Sequence, residues 1–473
     1  MAEEKSNLED ELTFSIKNAW EQSDEEELDD ITEFAEKYKE YITESKTERE
    51  IIDNTVKLLE KNGFVSIHEC DGLDQGDKIY ILNKNKAIAV AVIGNKEVTE
   101  GCHILASHID SPRLDLKARP IYEDNDASLA LFNTHYYGGI KKYQWVSTPL
   151  AIHGKVVKED GEIIDISIGE DKEDPVFAVS DLLPHLSKKK QSERKMKDVI
   201  KGEELNVILG GKPIDDDDID KKVKINILKI LNDNYGIKEE DFTSAEIEIV
   251  PSGPARDVGL DRSMVGGYGH DDRVCAFTSL MACIDLEPQS KTSLVFLFDK
   301  EEIGSEGNTS ANSRFTESVF QQILAKSKGD YSMEDYRLTL ENSNAMSGDV
   351  NPGVNPSFKG VHDLRNAGRM GKGIVLTKYT GSGGKFMAND AHAEYVAYIR
   401  RILNENDICW QTAQLGKVDE GGGGTVAKFL ANLNMDIIDA GPPLLGMHSP
   451  FEIVSKVDIY HTYKAYRAFL EAE

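Results

Sequence analysis

Five short polar clusters contain the residues of this sequence whose types and spacing could perform chemistry. Each cluster follows an apolar, strand-like run or stands beside the start of a predicted helix. The clusters are SHIDSP with His108 and Asp110, YGHDDRV with Asp271 and Asp272, DKEE with Glu301 and Glu302, SGDVNP with Asp349, and MHSP with His448. Imidazole and carboxylate groups are the usual ligands of divalent ions in hydrolases. Together the clusters predict a two-metal hydrolytic site.

Each cluster taken singly has a plainer interpretation, such as a surface turn, a helix cap, an Asx-turn or a histidine bonded to main chain. The sequence around DKEE argues against a simple turn. It follows LVFLF, a continuous apolar run typical of a strand that is covered on both faces. Adjacent carboxylates at the end of such a strand repel each other unless a cation or a proton compensates, which favours a metal.

Counting charges suggests a role for each group. The carboxylates of Asp271, Glu302 and Asp349 would balance most of the charge of two divalent ions, while two histidines stay neutral. Glu301 is then left over and is free to act as the general base on the attacking water. Asp110 stands two residues after His108, so it could accept the other ring proton of that histidine.

Composition narrows the classes of partner. The 473 residues include 84 acidic and 55 basic side chains, a formal net charge of -29. Such a field repels phosphate, so neither nucleic acid nor an anionic membrane is expected as a partner. The N-terminus MAEEKSNLEDELTF does not resemble a signal peptide, and no apolar run approaches the roughly 20 residues of a membrane span. We therefore expect a cytoplasmic protein, with its five scattered cysteines reduced.

The order of predicted elements indicates an α/β protein with an insertion. Residues 24–62 have helical periodicity, and strand-like runs follow up to SHIDSP. From residue 113 to 252 the pattern changes to short β-like segments, with a basic run and an acidic run that we expect to be solvated loops. After residue 253 helices and strands alternate again. We predict a catalytic domain formed by residues 1–112 and 253–473, interrupted by a β-rich domain at 113–252.

The motifs of the sequence and their order resemble those of a known family. SHIDSPRLDLK, HDDRV, DKEEIGS, SGDVNP and GMHSPFE occur in the order found in the aspartyl aminopeptidase family of cocatalytic zinc metallopeptidases, and YYGGIKKYQW and EGGGGTVAKFL are similar as well. The resemblance implies a zinc-peptidase type of α/β fold, in which helices flank a central mixed sheet, and an inserted β-rich dimerisation domain. It also implies a homo-oligomer of dimers that form a dodecameric shell.

The resemblance further implies roles for individual residues. His108, Asp271 and Asp349 would hold one ion, and Asp271, Glu302 and His448 the other, with Asp271 bridging. Asp110 would orient His108, and His185 of the insert would reach the active site of a partner subunit and stabilise the oxyanion. Lys378 would bind an acidic substrate side chain, but it is shifted by one residue from the usual position.

Two departures from the family pattern concern the substrate. The chain has VNPGVNP after Asp349 where the family has a histidine-rich run, so any substrate role of those histidines is either absent or met by Asn351 and Asn355. Ser147 and Thr148 stand where the family often has Asp-Arg.

Three functions remain open at this point. The first is a zinc-dependent aminopeptidase, with cobalt or manganese as possible replacements for zinc, that removes the N-terminal residue, including Asp or Glu, from short peptides. The second is a related two-metal amidohydrolase that acts on N-acyl amino acids. The third is a shell-forming scaffold that has lost its activity.

Overall fold

The computed structural model describes residue 8 and residues 11–473 of the chain. Its α-helices, numbered in chain order, are α1 (Ala19–Gln22), α2 (Glu25–Glu44), α3 (Glu48–Lys61), α4 (Pro184–Lys190), α5 (Lys222–Tyr235), α6 (His270–Ile284), α7 (Phe315–Lys328), α8 (Met333–Glu341), α9 (Ala393–Glu405), α10 (Ala427–Ala431) and α11 (Lys456–Leu470). The two helices predicted within residues 24–62 are α2 and α3.

The strands of the first half of the chain are β1 (Val65–Ser66), β2 (Lys78–Asn83), β3 (Ala87–Val92), β4 (Cys102–His108), β5 (Arg113–Asp124), β6 (Leu129–Tyr137), β7 (Leu150–Val157), β8 (Ile163–Ile168), β9 (Ala178–Val179), β10 (Val207–Gly210) and β11 (Ala245–Pro251). The remaining strands are β12 (Arg256–Val258), β13 (Met264–Gly267), β14 (Thr292–Phe298), β15 (Asn344–Ser347), β16 (Asn351–Pro352), β17 (Ile374–Thr377), β18 (Gly381–Ser382), β19 (Trp410–Thr412), β20 (Gly422–Gly423), β21 (Asp436–Gly441), β22 (Pro443–Leu445) and β23 (Glu452–Ser455).

A nine-stranded mixed sheet forms the centre of the molecule, in the order β1-β2-β3-β14-β4-β15-β21-β17-β19. Its middle strands β14, β4, β15 and β21 run parallel to one another, while β3 and β17 lie antiparallel to their inner neighbours. The parallel strands end at one edge, which is where open α/β sheets place their ligands. The expected α/β class with a mixed central sheet is confirmed.

The strand LVFLF is covered on both faces, as its continuous apolar pattern predicts. Val295 and Leu297 belong to the hydrophobic cluster that includes side chains of α2, α6, α9 and α11. Leu294, Phe296 and Phe298 point to the opposite face and belong to the cluster formed with α7, α8 and α10. Because successive side chains of a strand alternate between faces, a central strand with helices on both sides must be apolar throughout.

The residues predicted as an insertion form a sheet of their own. Strands β5 to β11 make a seven-stranded sheet in the order β8-β7-β11-β5-β6-β10-β9. A third hydrophobic cluster fills this region, with Trp145 and Phe132 among its buried members. The division into two domains and the use of the insert in assembly stay predictions.

The two charge runs of this region differ in structure. The acidic run lies in an exposed loop before α5, as expected, whereas Ser187 to Lys190 of the basic run lie on the short helix α4, so a loop is the wrong description of that part. Pro184 at the first helical position accounts for its start, because proline has its φ angle preset there and needs no hydrogen bond from its nitrogen. Within residue 8 and residues 11–473, no helix is both long and apolar enough to cross a membrane.

Candidate metal centre and active site

Three of the predicted ligands meet because the strands that precede them, β14, β4 and β15, are parallel neighbours. His108 is the last residue of β4, and the turn Asp299–Glu302 follows β14 at the same edge. Asp349 comes two residues after β15, the other neighbour of β4. His448 follows β22, which continues the chain from β21. The central sheet thus brings together His108, Glu302 and Asp349. Asp271 and His448 follow β13 and β22 of a separate five-stranded sheet, β12-β13-β23-β22-β16.

His108 is buried, and its ring has a fixed orientation. Its Nδ1 lies 3.0 Å from the main-chain oxygen of Asp110 and 3.4 Å from Asp110 Oδ1. A carbonyl oxygen only accepts, so Nδ1 carries the hydrogen and Nε2 presents its lone pair in the neutral ring. The nearer acceptor is therefore the main chain of Asp110 and not the carboxylate that the sequence suggests.

The carboxylate of Asp110 holds the DKEE turn. Asp110 Oδ1 accepts a hydrogen bond from the main-chain nitrogen of Glu301 at 3.0 Å, and Oδ2 accepts one from Glu302 at 3.2 Å. Oδ2 also accepts from the hydroxyl of Tyr137, a residue of β6 in the insert, at 2.8 Å. Asp110 therefore positions both glutamates through their main chain.

Asp271 lies at the centre of the cluster. It belongs to the first turn of α6, where Asp271 and Asp272 have non-helical main-chain angles, so the pair is more than a simple helix cap. Its Oδ1 is 3.2 Å from His108 Nε2, and its Oδ2 is 3.3 Å from His448 Nε2. One carboxylate thus faces both histidines.

His448 is oriented by a main-chain oxygen, as His108 is. Its Nδ1 donates to the carbonyl oxygen of Gly139 at 2.9 Å, which leaves the lone pair of Nε2 directed at Asp271 and at Glu302 Oε1, 3.4 Å away. A Cβ atom at position 139 would lie 3.2 Å from His448 Nδ1, so glycine allows this close approach of the main chain. Glycine at this position is thus part of the support of the histidine.

The arrangement fits two divalent cations. In the neutral rings, Nε2 of each histidine and the oxygens opposite it are all acceptors, and acceptors at 3.2–3.4 Å repel unless a proton or a metal cation lies between them. Ligand atoms of His108, Asp271 and Asp349 lie within 4.8 Å of one another, as do those of Asp271, Glu302 and His448. Within the described chain, buried Glu302 Oε1 has no hydrogen-bond partner. The structure brings all five predicted ligands together, and their assignment stays a prediction.

The pKa values of the predicted ligands also favour the binding of cations at this site. Burial raises the pKa values of Glu302 and Asp349 well above their ordinary values, and neighbouring carboxylates raise them further. Burial lowers the pKa of His448, but the carboxylates of Asp271 and Glu302 outweigh it and raise the pKa to about 10. The negative surroundings that stabilise a proton on this ring would also stabilise a metal cation.

Glu301 stands beside the two ligand groups and belongs to neither. Its Oε2 is 4.0 Å from His108 Nε2, and its side chain is 17% exposed. Burial raises its pKa to about 7, with the charges of Asp110 and Asp271 acting in the same direction. A carboxyl group in this state could exchange a proton near neutral pH.

A cavity of about 500 Å³ opens over these residues, which is a volume typical of small-molecule sites. The cavity is lined by Glu301, Glu302, Asp349 and both histidines, together with residues 380–382, Phe386, Met387, the glycines 422–424 and Lys428. Asn351 lines it and donates to Thr377 Oγ1 at 3.0 Å, whereas Asn355 is not among its lining residues.

The structure does not bring the other two predicted site residues to this cavity. Lys378 is outside its lining, and its Nζ pairs with Asp390 at 3.1 Å on the surface. His185 lies on α4 of the insert and is exposed, so it is not a buried structural histidine. Any role of His185 in catalysis would need a second subunit.

Sequence reasoning missed several supporting residues. Glu452 accepts hydrogen bonds from the main-chain nitrogens of Asp271 and His448, at 3.0 and 2.6 Å, and so ties the two together. Its place four residues after His448 was the available signal. Asp439 of β21 is buried and lines the cavity, and its preceding apolar run gave no hint of a polar role. Tyr137 and Gly139 lie in the YYGG segment.

Two groups of nitrogen and oxygen donors that share Asp271, at the carboxyl edge of a mixed α/β sheet, are typical of the class of metal-dependent hydrolases. The family model described as "Aminopeptidase I zinc metalloprotease (M18)" matches residues 41–470. The chain belongs to this M18 family of aminopeptidases, and it is an enzyme of the hydrolase class, so the resemblance inferred from the motifs is confirmed.

Relatives match the chain over nearly its whole length. A probable M18 family aminopeptidase 1 of Clostridium acetobutylicum is 50% identical, over 97% of this chain and 99% of the relative. The crystal structure of an M18 family aminopeptidase from Thermotoga maritima superposes with a TM-score of 0.93 at 48% identity, covering 97% of this chain and all of the other. The mApe1 dodecamer of S. cerevisiae shares the fold, with a TM-score of 0.74 at 21% identity over 94% and 96% of the two chains.

Proposed function

We propose that the protein is a zinc-dependent aminopeptidase that removes the N-terminal residue, Asp and Glu included, from short peptides. The observation that carries this proposal is the pair of ligand groups that share Asp271, face one cavity and leave Glu301 outside both. A general base beside a two-ion site is sufficient for the hydrolysis of an amide bond.

Two ions per subunit would be held by two sets of ligands. His108, Asp271 and Asp349 form the first set, and Asp271, Glu302 and His448 form the second. Zinc accepts these nitrogen and oxygen ligands and is named in the family description. Cobalt and manganese accept the same ligands. Which metal is bound in the cell depends on metal availability as well as on affinity.

The chain's own residues divide the remaining work. When bound, the ions would polarise the scissile carbonyl and acidify the attacking water. Glu301 would take the proton of that water and pass it to the leaving amine. Asp110 keeps Glu301 in place through its main-chain nitrogen, and the carboxylates of the cavity wall provide acceptors for the free α-ammonium group of the substrate.

Assembly into a homo-oligomer is part of the proposal. The related S. cerevisiae mApe1 is described as a dodecamer. In this chain the insert exposes Leu182, Leu183 and Leu186 beside His185, and exposed apolar side chains grouped in this way are typical of contact surfaces. We propose dimers that join into a dodecameric shell.

The function is tested by metal analysis combined with a substrate panel. We expect two ions per chain, mainly zinc, and hydrolysis of aminoacyl anilides and short peptides that stops when a chelator removes the metal. N-acyl amino acids should remain intact, because a blocked amine cannot form the ammonium group that the carboxylates accept. Cleavage of N-acyl amino acids in preference to free peptides would instead identify an amidohydrolase, and full activity without metal would refute the metal centre.

A further inference from the structure

Lys428 projects from a fixed element into the catalytic cavity. It is the second residue of α10, and this short helix is anchored by Ala427 and Leu430, which are fully buried. The lysine side chain itself is partly exposed and lines the same cavity as Glu301, Asp349 and both metal-binding histidines. The position of the lysine main chain is therefore set by core packing, while its ammonium group stays free to meet a ligand.

The ammonium group of Lys428 has no carboxylate partner within the described residues. Its Nζ lies over the ring of Phe429, 4.6 Å from the centroid, and takes part in none of the ion pairs of the molecule. Other lysines nearby are neutralised, since Lys378 and Lys385 both pair with Asp390 and Lys300 pairs with Asp299. A charge that faces a cavity without a partner is available for a substrate group of opposite sign.

The surroundings leave room for such a group. A Cβ atom placed on Gly424 would lie 3.9 Å from Lys428 Nζ, so the glycine run leaves this side of the ammonium group open. Phe386, Met387 and Leu415 line the same cavity. Apolar walls reduce the local dielectric constant, so an ion pair formed here is stronger than one in bulk water.

Charge complementarity indicates the ligand. Among the described residues that line the cavity, Lys428 is the only lysine or arginine, whereas aspartates and glutamates recur. We infer that Lys428 binds a carboxylate group of the peptide substrate and is thereby a specificity-determining residue, an inference that rests on the proposed aminopeptidase function. Lys428 takes the task that the sequence suggests for Lys378, whose charge is already paired.

Two parts of a peptide could supply this carboxylate. One is the side chain of an N-terminal aspartate or glutamate, and the other is the C-terminal carboxylate of a dipeptide. Glutamyl and glutaminyl p-nitroanilides differ only in the first of these groups. Leu-Gly and Leu-Gly-amide differ only in the second.

The test compares Lys428→Met and Lys428→Arg with the wild-type holoenzyme on these four substrates. Lys37→Met serves as the control, because Lys37 is an exposed helix lysine paired with Glu33. We expect Lys428→Met to lower kcat/KM about tenfold, mainly through KM, on the substrate whose carboxylate Lys428 binds. Removal of a charge-assisted hydrogen bond has an effect of this size. The other substrate of the same pair, which lacks that carboxylate, should be cleaved by Lys428→Met as fast as by the wild type. Lys428→Arg should keep most of the wild-type preference for the substrate with the carboxylate.

The pair in which the difference disappears identifies the source of the carboxylate. Equal effects of Lys428→Met on both members of each pair, or no effect on any of them, would overturn the inference while leaving the aminopeptidase function intact. If the wild-type protein cleaves none of the four, the proposed function fails, and calorimetric binding of Leu-Gly and of free glutamate to the two variants still tests Lys428. Binding unchanged by Lys428→Met would then overturn the inference.

Discussion

Glu301 and Glu302 are neighbours in the chain but lie in different surroundings. The side chain of Glu302 is 3% exposed and faces His448, whereas that of Glu301 is 17% exposed and belongs to neither predicted ligand group. The turn Glu301–Ile303 and the two main-chain hydrogen bonds to Asp110 hold the pair so that the side chains diverge. Adjacent carboxylates can therefore serve two purposes at the end of one strand.

Glu301→Gln should keep the metals and lose most of the turnover. Glutamine preserves size and polarity but cannot accept the proton of the attacking water, and general-base assistance is worth roughly 10²–10⁴-fold in rate. The measurements are kcat on a leucyl anilide and metal content per chain. Glu302→Ala is the matched comparison, since it should lose one ion as well as activity. Wild-type turnover by Glu301→Gln would contradict the role of Glu301 as the base.

At the scale of elements, His153 joins the insert to the start of α3. Its Nδ1 is 2.7 Å from Glu50 Oε1, and its Nε2 is 3.1 Å from Glu170 Oε1. Glu170 Oε2 in turn accepts a hydrogen bond from Gly253, whose carbonyl oxygen accepts one from Lys46 Nζ at 2.7 Å. Both ring nitrogens of His153 face carboxylates, which requires the ring to be doubly protonated.

This contact should make stability depend on pH. Burial lowers the pKa of His153, but hydrogen bonds to Glu170 and Glu50 outweigh it and raise the pKa from 6.5 to about 9. A raised pKa means that the stabilisation is complete below pH 6.5 and is lost as the pH rises through 9. His153→Gln should therefore reduce the free energy of unfolding by about 2 kcal/mol below that window and by much less above it.

Denaturant unfolding of wild type and His153→Gln, at matched pH values on both sides of this window, measures the effect. His135→Gln provides a control, because His135 is exposed and makes no ion pair within the described chain. A difference between wild type and His153→Gln that stays constant with pH would show that the ring is not protonated in the folded protein.

At the scale of the whole molecule, His185 is exposed on α4, in a part of the insert that does not line the cavity of its own subunit. Within one chain it has no catalytic use. The proposed oligomer supplies one, since a histidine on an exposed helix of one subunit could reach the cavity of another and donate a hydrogen bond to the oxyanion. Loss of one such donor costs on the order of 10²–10³ in turnover.

Complementation tests this arrangement. His185→Ala should keep its metals and oligomeric mass but be slow. Mixing it with Glu301→Gln under conditions of verified subunit exchange should restore activity, because some sites would then combine an intact Glu301 with the histidine of a Glu301→Gln partner. An active monomer in light scattering, or no recovery in mixed oligomers, would refute the shared site.

The sequence by itself determined the chemistry of the site and the class of fold. The five predicted ligands and Glu301 stand at the ends of apolar strands or beside helix starts, and such local patterns are readable because burial of both faces requires uninterrupted apolar residues. The alternation of helices and strands predicted the α/β class for the same reason, whereas the mixed central sheet was implied by the family resemblance. Residue type and local order carry this information.

Only the tertiary structure decided what supports the predicted ligands and which lysine lines the cavity. Glu452 meets Asp271 across 181 residues of sequence, and the Gly139 carbonyl meets His448 across 309. In each of these contacts one partner is a main-chain atom, which every residue possesses. The pattern of residue types in the sequence therefore cannot predict them. The sequence pointed to Lys378 alone, but the fold places Asp390 beside Lys378 and an open, partly apolar cavity beside Lys428.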